Sequence, residues 1–140
     1  MSIVQGQTTS FKYQLYQGLH NFSANTFNIA LFTGAASINQ NTVVYTPTGE
    51  VVGAGYTAGG QALTGVTISQ DLAKSIAYVN FNNAVWTSAS FTARCALIYN
   101  VSQGNAAVAV IDFGADKTCR NTFTVAMPGN ASTTALIRSA

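Results

Sequence analysis

Charge is scarce in this sequence. Six Lys/Arg and four Asp/Glu make only 7% of 140 residues ionisable, where about a quarter is usual. The six cations stand singly, so there is no basic patch of the kind that neutralises phosphates, and nucleic acid is not an expected partner. The net charge of +2 is too small to point to an acidic partner. A disordered chain combines low hydrophobicity with high charge, and this one has the reverse balance, 48% apolar. No run approaches the roughly 18–20 apolar residues that span a bilayer. Met1 to Gln7 lack the positive start and apolar stretch of a signal peptide, so a soluble chain made in a cytoplasm is expected.

Chemistry-bearing residues are equally few. There is one histidine, His20, at the end of a predicted helix, where it can cap carbonyls; a catalytic triad needs a His held by a third group. The two cysteines, Cys95 and Cys119, read as isolated buried thiols; a bridge between them is left open. A zinc site needs His20, Cys95 and Cys119 to converge from three separate elements. The acids are Glu50, Asp71, Asp112 and Asp116. Only Asp112 and Asp116 are close in sequence, and they read as solvated turn carboxylates within reach of Lys117 or Arg120. Trp86, the single tryptophan, reads as core rather than as a sugar-stacking platform. No catalytic residue, cofactor or metal is expected.

What the sequence has is amide and hydroxyl: 17 Thr, 12 Asn, 11 Ser and 8 Gln. Residues 1–9 form a polar stretch in which Ile3 and Val4 are the apolar pair; they read as an exposed arm that orders on a neighbouring subunit. Phe11, Leu15, Leu19 and Phe22 then recur at helical spacing, predicting a helix over about 10–20 capped by Ser10. From Thr26 the period becomes two, with Phe27, Ile29 and Leu31 on one strand face. A long connection follows over 35–48. The run Gly53-Ala54-Gly55-Tyr56-Thr57-Ala58-Gly59-Gly60 formally contains the G-x-G-x-x-A dinucleotide fingerprint. It lacks the following helix and the acid about 20 residues on. Gly53, Gly55, Tyr56, Gly59 and Gly60 are instead read as a structural loop needing positive φ and close backbone approach.

The remainder alternates between short strands and turn signals: Ala62–Ser69 with a bulge at Gly65, Ser75–Phe81, Ala84–Trp86, Ala93–Asn100 after Phe91, Ala106–Phe113, Thr122–Met127 and Thr134–Ile137. Gly114 to Lys117 reads as a turn, and Ser102 to Asn105 as a hairpin loop. About eight strands at this spacing, with one N-terminal helix, predict a mainly β domain over 10–140. The architecture is an antiparallel sandwich or a jelly-roll-like barrel.

The order of motifs resembles a family of small virion structural proteins of tailed bacteriophages, over roughly residues 10–127. The residues that carry it are Phe11 to Phe22, Phe27 to Phe32, Glu50 to Gly60, Val85-Trp86, Phe91 to Asn100 and Ile111 to Lys117. The resemblance implies a particle component without catalysis, located in the virion, with head decoration and tail roles both open. A charge-poor surface suits that expectation, because copies packed flank to flank do not repel one another. The leading expectation is a capsid decoration (cement) protein, a homo-oligomer with a trimer favoured, bound to the major capsid protein or another virion protein. The alternatives are a tail, neck or fibre-attachment component, or a carbohydrate-binding host-attachment module using Trp86 or Tyr45, Tyr56, Tyr78 and Tyr99.

Overall fold

Thr8 does three things at once. Its amide donates to the Val108 carbonyl at 2.9 Å. Its hydroxyl donates to the Ala107 carbonyl and accepts from the Phe11 amide, both at 3.1 Å. Thr8 is thus both a strand end and the N-cap of the helix, and it is wholly buried. The computed structural model describes residues 6–139. Residues 6–9, expected in the arm, belong to the folded unit: β1 (Gly6–Gln7) pairs with β8 (Ala106–Cys119), and helix α1 runs Thr9–Tyr16. The arm residues Ile3 and Val4 lie outside the described residues.

The helix is shorter than its apolar spacing suggested. Thr8, not Ser10, caps its start. Its end is set by Gln17 and by Gly18 at φ +72°, the left-handed exit that glycine favours. Leu19, His20 and Phe22 continue the apolar stripe from the following turns, and Phe22 stacks face to face on Phe27 at 4.5 Å.

The remaining strands are β2 (Phe27–Phe32), β3 (Gln61–Ala62), β4 (Thr67–Asp71), β5 (Ile76–Asn80), β6 (Ala84–Trp86), β7 (Phe91–Asn100), β9 (Phe123–Val125) and β10 (Ile137–Ser139). They form a five-stranded sheet ordered β1-β8-β7-β2-β3, a three-stranded sheet β10-β5-β4 and a pair β6-β9. All pairings are antiparallel. The result is sandwich-like, mainly β and without barrel closure.

The large sheet is covered on both faces, which explains why β2 and β7 read as nearly continuous apolar runs. On one face Phe27, Ile29, Leu31, Ala96 and Ile98 meet Phe11 of the helix together with Val79, Ile137, Trp86 and Phe123 of the smaller sheets. On the other, Phe32, Leu97, Tyr99 and Val110 are roofed by Ala36, Ile38 and Tyr45 of the long connection.

Three expected strands change. The segment 62–69 is not one bulged strand: it breaks at Leu63–Val66, where Gly65 takes φ +63°, into β3 of one sheet and β4 of another. Gly114 to Lys117 is not a turn between strands. β8 runs through it as a bulge, residues 113–116 standing opposite Arg94 alone between the Cys95–Asp112 and Ala93–Lys117 pairs. The last strand starts at Ile137 rather than Thr134. The loop after β7 is as expected, a short 3₁₀ turn closed by Gly104 and Asn105, both at positive φ.

Candidate functional site

The glycine run folds onto the large sheet through contacts that leave no room for side chains. A Cβ on Gly60 would stand 1.8 Å from the Ile29 carbonyl oxygen, and one on Gly55 2.7 Å from the Ala89 Cα. One on Gly53 would stand 2.8 Å from the Phe91 Cβ. Gly55, Gly59 and Gly60 take φ of +81°, +95° and +79°, a region costly to L side chains. Gly53 is required by proximity alone. No helix follows this run, so its amides do not form the phosphate cradle of a dinucleotide site.

The loop is fastened by a buried acid, Glu50, which is 8% exposed. Its Oε1 accepts from the Tyr45 hydroxyl at 2.6 Å. Its Oε2 accepts from the Tyr56 hydroxyl and, at 2.8 Å, from the Gly59 amide. The Tyr56 oxygen in turn accepts from the Leu31 amide at 2.9 Å. The Tyr99 hydroxyl closes the cluster by donating to the Gly59 carbonyl at 2.5 Å, and its ring stacks on that of Tyr45 at 4.6 Å. Burial, and then the Glu50 hydrogen bond, hold the Tyr45 and Tyr56 phenols well above their ordinary range; burial raises Tyr99 as well. Tyr45 and Tyr56 are neutral donors to the Glu50 carboxylate, an arrangement that desolvation strengthens, while Tyr99 donates to a backbone carbonyl. The cluster contains neither a nucleophile beside a base nor a second carboxylate. Its chemistry is to hold the loop and the long connection against β2.

Glu50 was the residue that the sequence left out of the loop. The signal was present: it is the acid three residues before Gly53 in a stretch whose polar side chains are otherwise hydroxyls. Without the fold, nothing showed that three tyrosines from separate segments would gather near it.

The other chemistry-bearing residues do not assemble. His20 lies buried between Gln14 Oε1, 2.7 Å from Nε2, and Asn100 Nδ2, 3.0 Å from Nδ1. With Asn100 donating to Nδ1, the ring is neutral and carries its proton on Nε2 toward Gln14. Desolvation lowers its pKa. It therefore ties the post-helix turn to β7 rather than capping helix carbonyls as expected. Cys95 and Cys119 are free and buried. Cys119 pairs with Phe91, four residues along β7 from Cys95, so the two are about 13 Å apart along the sheet and beyond disulfide reach. Burial pushes the Cys95 thiol up to about 12. His20, Cys95 and Cys119 are thus not brought together, and among the described residues no three His, Cys, Asp or Glu side chains group as metal ligands.

Asp112 pairs with Arg94 at 3.4 Å, not with the expected Lys117 or Arg120. Asp71 accepts from Ser132 at 2.7 Å. Trp86 is buried against Phe123 and Tyr56, as its place between strands suggested. It is not available for sugar stacking, and Tyr45, Tyr56 and Tyr99 are engaged with Glu50 or the loop.

Compared with family models, with curated proteins and with solved structures, the chain has no significant match in any of the three.

Proposed function

We propose that this chain is a non-enzymatic structural component of a bacteriophage particle, a capsid decoration protein that docks on the head and bridges neighbouring capsid subunits. The observation that carries the reading is the combination of a charge-poor chain with polar groups already committed internally. The buried acid, the buried histidine and the tyrosines around Glu50 are all spent on holding loops. What faces outward is charge-poor: Lys12, Lys74, Asp116, Lys117, Arg120 and Arg138 are the exposed charged residues, beside large apolar ones, with Tyr16 94% exposed, Val52 95% and Leu72 79%. Such a surface packs against symmetry copies and a shell without like-charge repulsion, and apolar side chains exposed in isolation become buried on assembly. The motif order, which resembles that of small phage virion proteins, is in keeping with the same reading.

The test is stoichiometry in purified particles, with rebinding of the purified chain to particles lacking it. A copy number in the hundreds with heads that resist heat better fits a decoration protein. About six or twelve copies, the numbers of a ring or neck, would move the chain to the tail or neck. Absence from the particle would overturn the reading altogether.

A further inference from the structure

Of the strands that end a sheet, β4 is the longest among the described residues, five residues against two or three in β1, β3, β6, β9 and β10. It pairs with β5 in unbroken register, and among the described residues no strand lies on its other side. Natural edges are guarded by a bulge, a proline or a charge. β4 has no bulge, and Leu63 to Gln70 contain neither proline nor charge. An apolar row runs into this edge. Ile137 stands opposite Val79 and Val79 opposite Ile68, and such partners share one face of the sheet. Ile137 and Val79 are buried, whereas Ile68 is 54% exposed. A hollow of about 130 Å³, lined by Ile68 together with Leu15, Phe22 and Val79, opens at the same place. An unguarded edge at the end of an apolar row is the geometry that accepts one further strand.

We propose that the added strand is β4 of a second copy, paired antiparallel across a two-fold axis at Ile68. Charge selects this occupant and this register. Asp71 is the one ionisable residue of β4, three places along from Ile68. Antiparallel pairing about Ile68 sends the two copies of Asp71 to opposite ends of the contact, about 20 Å apart. A register centred on Asp71 would set the two carboxylates directly opposite each other, which is destabilising. With the axis at Ile68, Thr67 meets Ser69 of the partner subunit, hydroxyl to hydroxyl, and Gln70 meets Val66 of the partner subunit. The two Ile68 side chains meet on the axis and carry the apolar row from one sheet into the other. The contact is isologous and closes at two copies. The far edge of the sheet does not extend it, because β10 has three residues and its Arg138 carbonyl already accepts from Gln7 Nε2 at 3.2 Å. The proposal is independent of the particle assignment above.

Sedimentation of the full chain over a range of concentrations, together with single-cysteine variants, tests it. The parent should dimerise reversibly. Ile68→Lys, which brings two cations together on the axis, should raise the dissociation constant about tenfold or more. Mild oxidation should link Ile68→Cys into a covalent dimer, since its two thiols face each other. Gln70→Cys should not link, its thiols being about 13 Å apart. Cys95 and Cys119 are buried, and the parent chain gives the background. A chain that stays monomeric at every concentration overturns the proposal. So does a dimer that Ile68→Lys leaves intact, or one in which Gln70→Cys links as readily as Ile68→Cys, because either result places the contact elsewhere.

Discussion

The Tyr56 hydroxyl donates to the Glu50 carboxylate while accepting the Leu31 amide, so one phenol oxygen joins the glycine loop, the segment at Glu50 and the interior strand β2. Tyr56→Phe leaves a buried carboxylate oxygen and a backbone N–H each short of a partner. The loss should be about 2–3 kcal/mol, read as a lower urea midpoint. Tyr45→Phe, which spares the Leu31 amide, should cost less. Equal losses would mean that the contact with β2 contributes nothing.

The same phenols set an alkaline limit. Tyr45 and Tyr56 have their pKa raised above the ordinary 10.0 by burial and Glu50. Above pH 10 the unfolded chain releases those protons while the folded chain retains them. Stability is therefore fully present below pH 10 and declines as pH rises beyond it. Denaturant midpoints between pH 9 and 11.5 should show the decline, and Tyr56→Phe should flatten it.

His20 sets a limit on the acid side. Its pKa is lowered by burial, so below its ordinary 6.5 the unfolded chain takes up a proton that the folded chain refuses. Stability should fall as pH drops below about 6.5 and level off under the folded pKa. An NMR titration of the single histidine in the folded protein gives the midpoint directly; a value at or above 6.5 would contradict the reading.

Glycines of equal φ should not be equally replaceable. Gly60→Ala drives a Cβ into the Ile29 carbonyl, whereas Gly18 and Gly104 have nothing within 4 Å of a built Cβ. Alanine at Gly18 or Gly104 should cost only the left-handed penalty of about 1–2 kcal/mol. At Gly60 the strain and overpacking together should exceed about 3 kcal/mol. Thermal melts of the three variants separate strain from close approach.

Trp86→Ala should cost about 3–5 kcal/mol through the cavity it opens against Phe123 and Tyr56. A variant that melts like the parent would place the indole at the surface.

Much of the fold was legible because its signals are local. The alternation of Phe27, Ile29 and Leu31, the apolar run of β7 and the turn at Gly104 all follow from neighbours in sequence. What stayed hidden depends on distant partners. Thr8 looked like arm because what ties it into the fold, its bond to the Ala107 carbonyl, comes from 99 residues away, although its cap bond from the Phe11 amide is local. The bulge at 113–116 looked like a turn because Gly114 marks both. The Glu50 cluster draws Tyr45, Tyr56 and Tyr99 from three segments, and no spacing rule relates them.

The double duty of Thr8 also constrains the order of events in time. An eight-residue helix is too short to persist alone in water, and its capping residue is held by carbonyls of β8. The β7–β8 hairpin is contiguous in the chain and closes a short loop, whereas β2 must return across about 70 residues to reach β7, a slower closure. During refolding the helical signal should therefore rise together with sheet formation and never ahead of it, and Thr8→Ala should mainly speed unfolding. The helix nearest the N-terminus should thus be among the last elements to form.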